Sequence, residues 1–397
     1  MNVSAFVELF AIPNVPRLIA AALLGRLPGA VAPLTIVLAV HQRTGSYAAA
    51  GLASACYAAG ACLAGPPLGR LIDHAGQLPV LAASAAISSA AWVGLAVAGR
   101  AGMAVLAGCC ALAGAFQPPL ASCTRALWPV LVRRPGQLEV AYALESTSQE
   151  LLYITGPLLL AALVGVASPP AAPIGSALLG LAGTLLFASA PASRAWTPSH
   201  QRRHWAGALT GAGIRWLLLA RVVWTSSAGM LFVAIPAFCS HHGSAASAGL
   251  IIAAWGAASM AGGVLYGGRR WRSSLRARFV LLLALLAATA FPLALARSIL
   301  DLALLVSLFG LGLAPWLASA DALTQAAAPR GTVTEAFAWA VAAGLLGQAL
   351  GGSLAGALLE TNPAKASFVV AAALLVLATA IAGLAARRIP NKHPVPV

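Results

Sequence analysis

GPPLGRLIDHAGQ, residues 65–77, sets three ionisable side chains, Arg70, Asp73 and His74, among three glycines, Gly65, Gly69 and Gly76. The apolar runs on either side, 46–68 and 79–99, are each long enough to cross a hydrocarbon core, which takes about 20 residues of helix. The stretch between them is therefore expected to be a tight hairpin at a membrane surface. Gly65 and Gly69 share one helix face, where the absence of side chains lets a neighbouring backbone approach. Gly76 is expected to supply the positive φ that reverses the chain. Asp73 then either caps a helix N-terminus or pairs with an arginine.

The whole chain repeats the pattern of these flanks. Of 397 residues 60% are hydrophobic and 8% charged, where a soluble domain carries about 25% charged residues. Twelve apolar runs stand out, at 17–40, 46–68, 79–99, 102–127, 139–166, 173–190, 214–238, 246–267, 277–297, 299–322, 334–359 and 366–386. Strand-like alternation is missing, so the expectation is an all-α integral membrane protein of twelve transmembrane helices. The first run is too long, and Arg26 too central in it, for a cleaved signal peptide. A net charge of +15 raises nucleic acid as a partner, but its distribution argues against that. Arg70, Arg133, Arg134, Arg194, Arg202, Arg203, Arg269, Arg270, Arg272, Arg276, Arg278, Arg330, Arg387, Arg388 and Lys392 fall in alternate loops or the tail. The opposite loops hold Arg43, Arg100, Arg297 and Lys365. That bias orients the chain with both termini in the cytoplasm. The preference for Arg over Lys and the abundant Ala point to a bacterial cytoplasmic membrane.

The longest polar interruption, PASRAWTPSHQRRHWAG at 191–207, falls near the midpoint. It divides the chain into a bundle over 1–190, a cytoplasmic linker over 191–213 and a second bundle over 214–397. A shift of 198 lays SYAAAGLASA (46–55) on SAASAGLIIA (244–253), and Gly65 and Gly69 on Gly263 and Gly267. A shift of 197 lays PPLAS (118–122) on PWLAS (315–319), and one of 195 lays AYA (141–143) on AFA (336–338). Three matches in one order, at nearly one offset, describe two parallel repeats, a plan on which membrane transporters are built.

Gly69, Leu71, Asp73 and Gly76 resemble the signature of the loop between helices 2 and 3 in the major facilitator superfamily, Gly-x-Leu-x-Asp-x-x-Gly. The degenerate copy GGVLYGGRR (262–270) and the midpoint loop are similar to that family as well. His74, Gln77 and Leu78 depart from it, standing where basic residues are usual. The resemblance implies two pseudo-symmetric six-helix bundles that rock about a central cavity. It also implies that the Asp73 cluster latches them when the cavity faces outward. The expected partners are Arg125, Arg133 or Arg134 on helix 4, or the segment from Gly331-Thr332 before helix 11. In that segment Thr332 or Thr334 is expected to cap the helix, with Glu335 in its first turn.

Ionisable groups at bilayer depth cost at least ~2.5–3.5 kcal/mol and are paired or line a wet cavity. Arg26 and Glu150 lie within about one helical turn of the same depth, at a rise of about 1.5 Å per residue. They are expected to pair, with Glu145 and Arg125 as a second pair and Arg221 reaching the interface. Glu150 is the candidate proton site and Glu145 the runner-up; the alternative is a permanent structural salt bridge. Gln149 points about 100° away from Glu150 around the helix. No pair of buried carboxylates is expected in the C-terminal half, which disfavours a sugar site. Trp224, Trp255, Trp316 and Trp339 either line the cavity or belong to the core or lipid face.

Exporters of the resembled family carry an Arg in helix 4 and a glycine-rich motif in helix 5. Here Cys110 stands in the first position, and Gly156-Pro157 is followed by Leu160 and Ala161. The Gly156-Pro157 kink remains. The expected function is secondary active transport of a small organic molecule, by proton-coupled efflux, with uptake of a metabolite as the alternative. A non-transporting receptor on the same scaffold is the distant one. The seven histidines fall in loops or the tail, and the six cysteines sit in apolar helices without metal-ligand spacing. No enzyme, cofactor or metal site is expected, and no nucleotide loop is present, so gradients must drive transport. Substrate, protons and lipid are the expected partners of a monomer.

Overall fold

The computed structural model describes residues 3–99, 101–132, 134, 136–166, 171–196, 207–242, 247–269, 271, 273–359 and 363–388, and contains no strand among them. Twelve long helices follow one another: α1 (Val15–Thr44), α2 (Tyr47–Ala75), α3 (Gln77–Val97), α4 (Met103–Leu131), α5 (Gln137–Val166), α6 (Ala171–Ala188), α7 (Ala212–His241), α8 (Ser247–Gly267), α9 (Leu275–Leu295), α10 (Ile299–Ala327), α11 (Val333–Leu359) and α12 (Ala364–Arg388). Eleven of them are apolar enough over their length to cross a bilayer. The other, α5, is 30 residues long and carries Glu139, Glu145 and Glu150. A short helix, Val3–Phe10, precedes α1. Turns α2–α3, α4–α5, α6–α7, α8–α9 and α10–α11 share one face of the bundle, called here the basic face for the charges its turns carry.

Several helices outrun their apolar stretches. His41, His74 and His241 therefore lie in the last turns of α1, α2 and α7 and not in loops. Cationic side chains suit that position, where the helix dipole is negative. The expected hairpin over 65–77 is the largest such correction. Residues 65–75 continue α2, Pro66 and Pro67 included, and the whole turn is Gly76, at φ 92° and ψ 165°. Only a residue without Cβ adopts that backbone freely. The expected linker over 191–213 is shorter too, since α7 begins at Ala212. It holds a helical turn at Pro191–Arg194 and a 3-10 turn at Gly207–Thr210; 197–206 lie outside the described residues.

The cores follow the two halves of the chain. One cluster, from Leu217 to Ala382, fills α7–α12 around Trp224, Trp255, Phe279, Phe309 and Trp316. Two others, around Tyr57 and Trp92 and around Leu81 and Phe187, fill the space among α1–α4 and α6, while a further cluster around Trp128, Tyr142, Tyr266 and Phe337 joins the two halves. Trp316 stacks between Trp224 (4.7 Å) and Phe279 (5.6 Å), so these two tryptophans pack the core of the second lobe, where Trp316 and Phe279 also border a small void beside Arg221. The PPLAS and PWLAS repeats mark matching interruptions: α4 breaks between Ala115 and Leu120, and α10 between Gly310 and Leu313. Proline supplies no N–H donor, so a helix tends to restart at it.

Candidate functional site

The lobes meet along two seams, α2 against α11 and α5 against α8. A Cβ added at Gly69 would lie 2.9 Å from the Cβ of Ala338, and one added at Gly267 would lie 2.9 Å from the Cβ of Ala143. Gly69 and Gly267 correspond in the repeat, and so do Ala143 and Ala338. Each seam is thus closed by the same glycine–alanine contact, which leaves no room for a larger residue. Gly65, expected to share this role, has nothing within 4 Å of its Cβ position, whereas its counterpart Gly263 packs on Thr147 and Ala314.

Asp73, in the last turn of α2, is the cap of α11. Its carboxylate accepts hydrogen bonds from the backbone N–H groups of Thr334 (3.3 Å) and Glu335 (2.9 Å). The first four N–H groups of a helix have no partner within it. A carboxylate placed there gains both the bonds and the favourable end of the dipole. The expected caps, Thr332 and Thr334, do other things: Thr332 Oγ1 donates to the Pro329 carbonyl, and Thr334 Oγ1 is buried without a hydrogen bond among the described residues. One turn earlier, Arg70 donates to Glu335 at 2.7 Å. Glu335 is fully buried, its carboxylate also lies 3.4 Å from the Trp339 indole nitrogen, and a Cβ at Gly207 would overlap it. The linker's end is therefore part of the same cluster.

The expected arginine partners of Asp73 are engaged elsewhere. Arg134 pairs with the exposed Glu8 at 3.1 Å, and Arg133 lies outside the described residues. Arg125 crosses the seam to Asp321 on α10, at 2.6 Å, with both side chains buried. Arg221 of α7 approaches the same carboxylate at 3.5 Å and so does not reach the interface. Asp321 and Glu335 are two buried carboxylates in the half where no such pair was expected. The signal for Asp321 was its place inside the apolar run 299–322, where a shift of 197 lays it on Thr124, beside Arg125.

Arg26 does not pair with Glu150. It donates to Glu145 at 2.5 Å and to Gln149. Helical side chains lean toward their own N-terminus. A long guanidinium eleven residues into α1 thus reaches down to Glu145, eight residues into α5. Glu145 and Gln149 lie one above the other on one face of α5. Glu150 is turned about 100° from Gln149 and meets α8, where it accepts from Ser259 Oγ at 3.1 Å. Glu145 likewise does not pair with Arg125. Gly156 packs close to Val31 of α1 within an α5 that is helical through Pro157; the Pro157 side chain lies outside the described ones.

At the second seam the charges are reversed. Arg278 at the start of α9 makes two hydrogen bonds of 2.6 Å to Glu139 at the start of α5, and another of 3.0 Å to the Tyr266 hydroxyl. Trp271 stands where the counterpart of Asp73 would be and donates to the Tyr266 carbonyl at 3.0 Å. Both seams are thus fastened on the basic face. Toward mid-depth, the last side-chain hydrogen bonds between the lobes among the described residues are Glu150–Ser259 and that of Cys62 Sγ to the Ala342 carbonyl (3.7 Å).

No curated protein sequence matches this chain. Among solved structures it is similar to the human organic anion transporter MFSD10 (TETRAN), with a TM-score of 0.73, 15% identity, and coverage of 93% of this chain and 100% of that one. It is also similar to a bacterial homologue of the iron transporter ferroportin in an outward-facing state. There the TM-score is 0.77 and the identity 17%, over 94% of this chain and 99% of that one. At such identities the likeness speaks for the fold. The model of the Major Facilitator Superfamily matches residues 18–334. With that match laid over twelve helices and two glycine–alanine seams, the chain belongs to the Major Facilitator Superfamily, and it is a transporter rather than an enzyme.

Proposed function

We propose that this transporter exports a small organic molecule across a bacterial cytoplasmic membrane in exchange for protons. Its lobes, 1–190 and 214–397, rock as two bodies of one monomer, with the basic face and both termini in the cytoplasm. In that orientation the fastened face is the inner one, and the arrangement is the outward-facing state. The observation that carries the coupling is the contact of Glu150. This carboxylate is half-buried at mid-depth and bonded to a hydroxyl of the opposite lobe, not to an arginine. Its charge can change without breaking an ion pair, and the change acts directly on the contact between the lobes. Arg26–Glu145, doubly held within one lobe, has the character of a structural pair.

Everted vesicles test this reading. Substrate accumulation inside, abolished by a protonophore and uncoupled from proton movement in Glu150→Gln, is expected. Normal coupling in that variant would remove Glu150 from the mechanism. Uptake remains the second reading, because Cys110, Leu160 and Ala161 replace the residues that exporters of this family carry. Loss of nutrient uptake in a deletion strain, with no accumulation in everted vesicles, would establish it.

A further inference from the structure

Asp321 serves two arginines of opposite lobes. It bonds to Arg125 of α4 at 2.6 Å and stands 3.5 Å from Arg221 of α7, which shares its own lobe. The nearer pair of atoms, Arg221 Nη1 and Asp321 Oδ1, are both buried, and neither makes a hydrogen bond among the described residues. That contact is about half an ångström from bonding distance. When the lobes part on this face, α4 separates from α10 but α7 does not. Asp321 then closes on Arg221 and remains paired inside its lobe.

Arg125 has no such reserve. A guanidinium does not discharge in proteins, so Arg125 keeps its charge when Asp321 leaves. The nearest charged group of its own lobe is Glu145, already held by Arg26 at 2.5 Å. Moving Glu145 to Arg125 would strand Arg26 instead. Glu150 faces the other way, onto Ser259. The opened lobe is thus left with a guanidinium that calls for an anion from solution. On its own lobe Tyr142 donates to the Arg125 carbonyl at 3.4 Å, and across the gap Phe337 of the departing lobe, whose ring centroid is 6.0 Å from the guanidinium carbon while the face is closed, gives an apolar opposite wall.

We infer that Arg125 binds the acid group of an organic anion with an apolar body, a carboxylate or sulfonate, when the basic face is open. Asp321 is the built-in stand-in that displaces this anion when the face closes. The inference rests on alternating access and not on the direction of transport or on protons.

The test uses the full chain in lipid nanodiscs, with 1-naphthalenesulfonate as the probe and the uncharged 1-naphthalenesulfonamide as its control. Asp321→Asn removes the competitor, and the sulfonate is expected to bind about tenfold tighter or more, the scale of a buried charge contact. The gain should vanish in Arg125→Gln/Asp321→Asn and persist in Arg221→Gln/Asp321→Asn. With Arg125 and Asp321 both intact and labels carried on cysteines introduced at His74 and Arg330, the sulfonate but not the sulfonamide should lengthen the distance between the labels. Equal binding of the sulfonamide, no gain in Asp321→Asn, or a gain that survives loss of Arg125 would overturn the assignment. None of these readouts uses a proton gradient, so proton-coupled export can fail while this inference stands, and the reverse.

Discussion

The α2–α11 and α5–α8 seams are two solutions to one packing problem. Both bring a glycine at a helix end against an alanine at a helix start, at the same distance. Around that shared contact the chemistry has diverged. At the first seam the N-terminal lobe supplies a carboxylate, Asp73, to bare backbone N–H groups, and an arginine, Arg70, to buried Glu335. At the second, the C-terminal lobe supplies Arg278 to Glu139, and Trp271 stands in place of an aspartate. Small-residue packing sets how near the helices come; the polar groups set how firmly one state is held. The first is common to both copies and the second is not.

Asp73→Ala should have the largest effect on this asymmetry. It strands the two backbone N–H groups of α11 that Asp73 caps, at about 1–3 kcal/mol each. The label pair at His74 and Arg330 should report an opened seam, and an unchanged distance would deny Asp73 its latching part. Next come Gly69→Val and Gly267→Val, which force a branched side chain into alanine-width gaps for about 1–3 kcal/mol each. Gly69→Val, which also meets the backbone of Thr334 and Glu335 at 3.0 Å, should lower the thermal unfolding temperature more than Gly267→Val, whose other neighbour is the end of the Phe6 ring. Equal losses would mean that the alanine contact alone sets the energy of each seam. Glu139→Gln should matter less, roughly 1 kcal/mol, since its side chain is 34% exposed and water screens the pair. Labels at Arg134 and Ser273 would follow that seam. Arg70→Lys is the mildest: it keeps a cation beside buried Glu335, and with the Arg70 side chain 42% exposed about 0.2–1 kcal/mol is expected, seen as a small loss of thermal stability. A loss as great as that of Asp73→Ala would invert the ranking of cap over ion pair.

The repeat shows how far the sequence reaches. Offsets of 195 and 198 place Ala143 with Ala338 and Gly69 with Gly267, which are the residues that touch at the seams. Helix number and approximate bounds were legible because a run of apolar residues has few other fates in a bilayer. The interior pairs were not. Depth along a helix follows from counting, but which face a residue presents depends on neighbours whose rotation no local pattern records. Arg26 was given the right depth and the wrong acid, since Glu145 and Glu150 point to different helices. Asp321 escaped notice because a lone carboxylate in an apolar run announces its burial but not its partner. Asp73 was identified through its motif, and its contact with the start of α11 was among the partners the motif implied.

The Arg125–Asp321 pair also bears on how the protein is made. The two residues are separated by 196 positions in the chain. At about 5–20 residues per second, the ribosome delivers the acid roughly 10–40 s after the base. During that interval the first lobe is completed while its cation waits for the acid of the second. Temporary shelter must come from lipid headgroups, water or the insertion machinery. The nascent first lobe is therefore an incomplete object, and expressing it alone would leave that vacancy permanent.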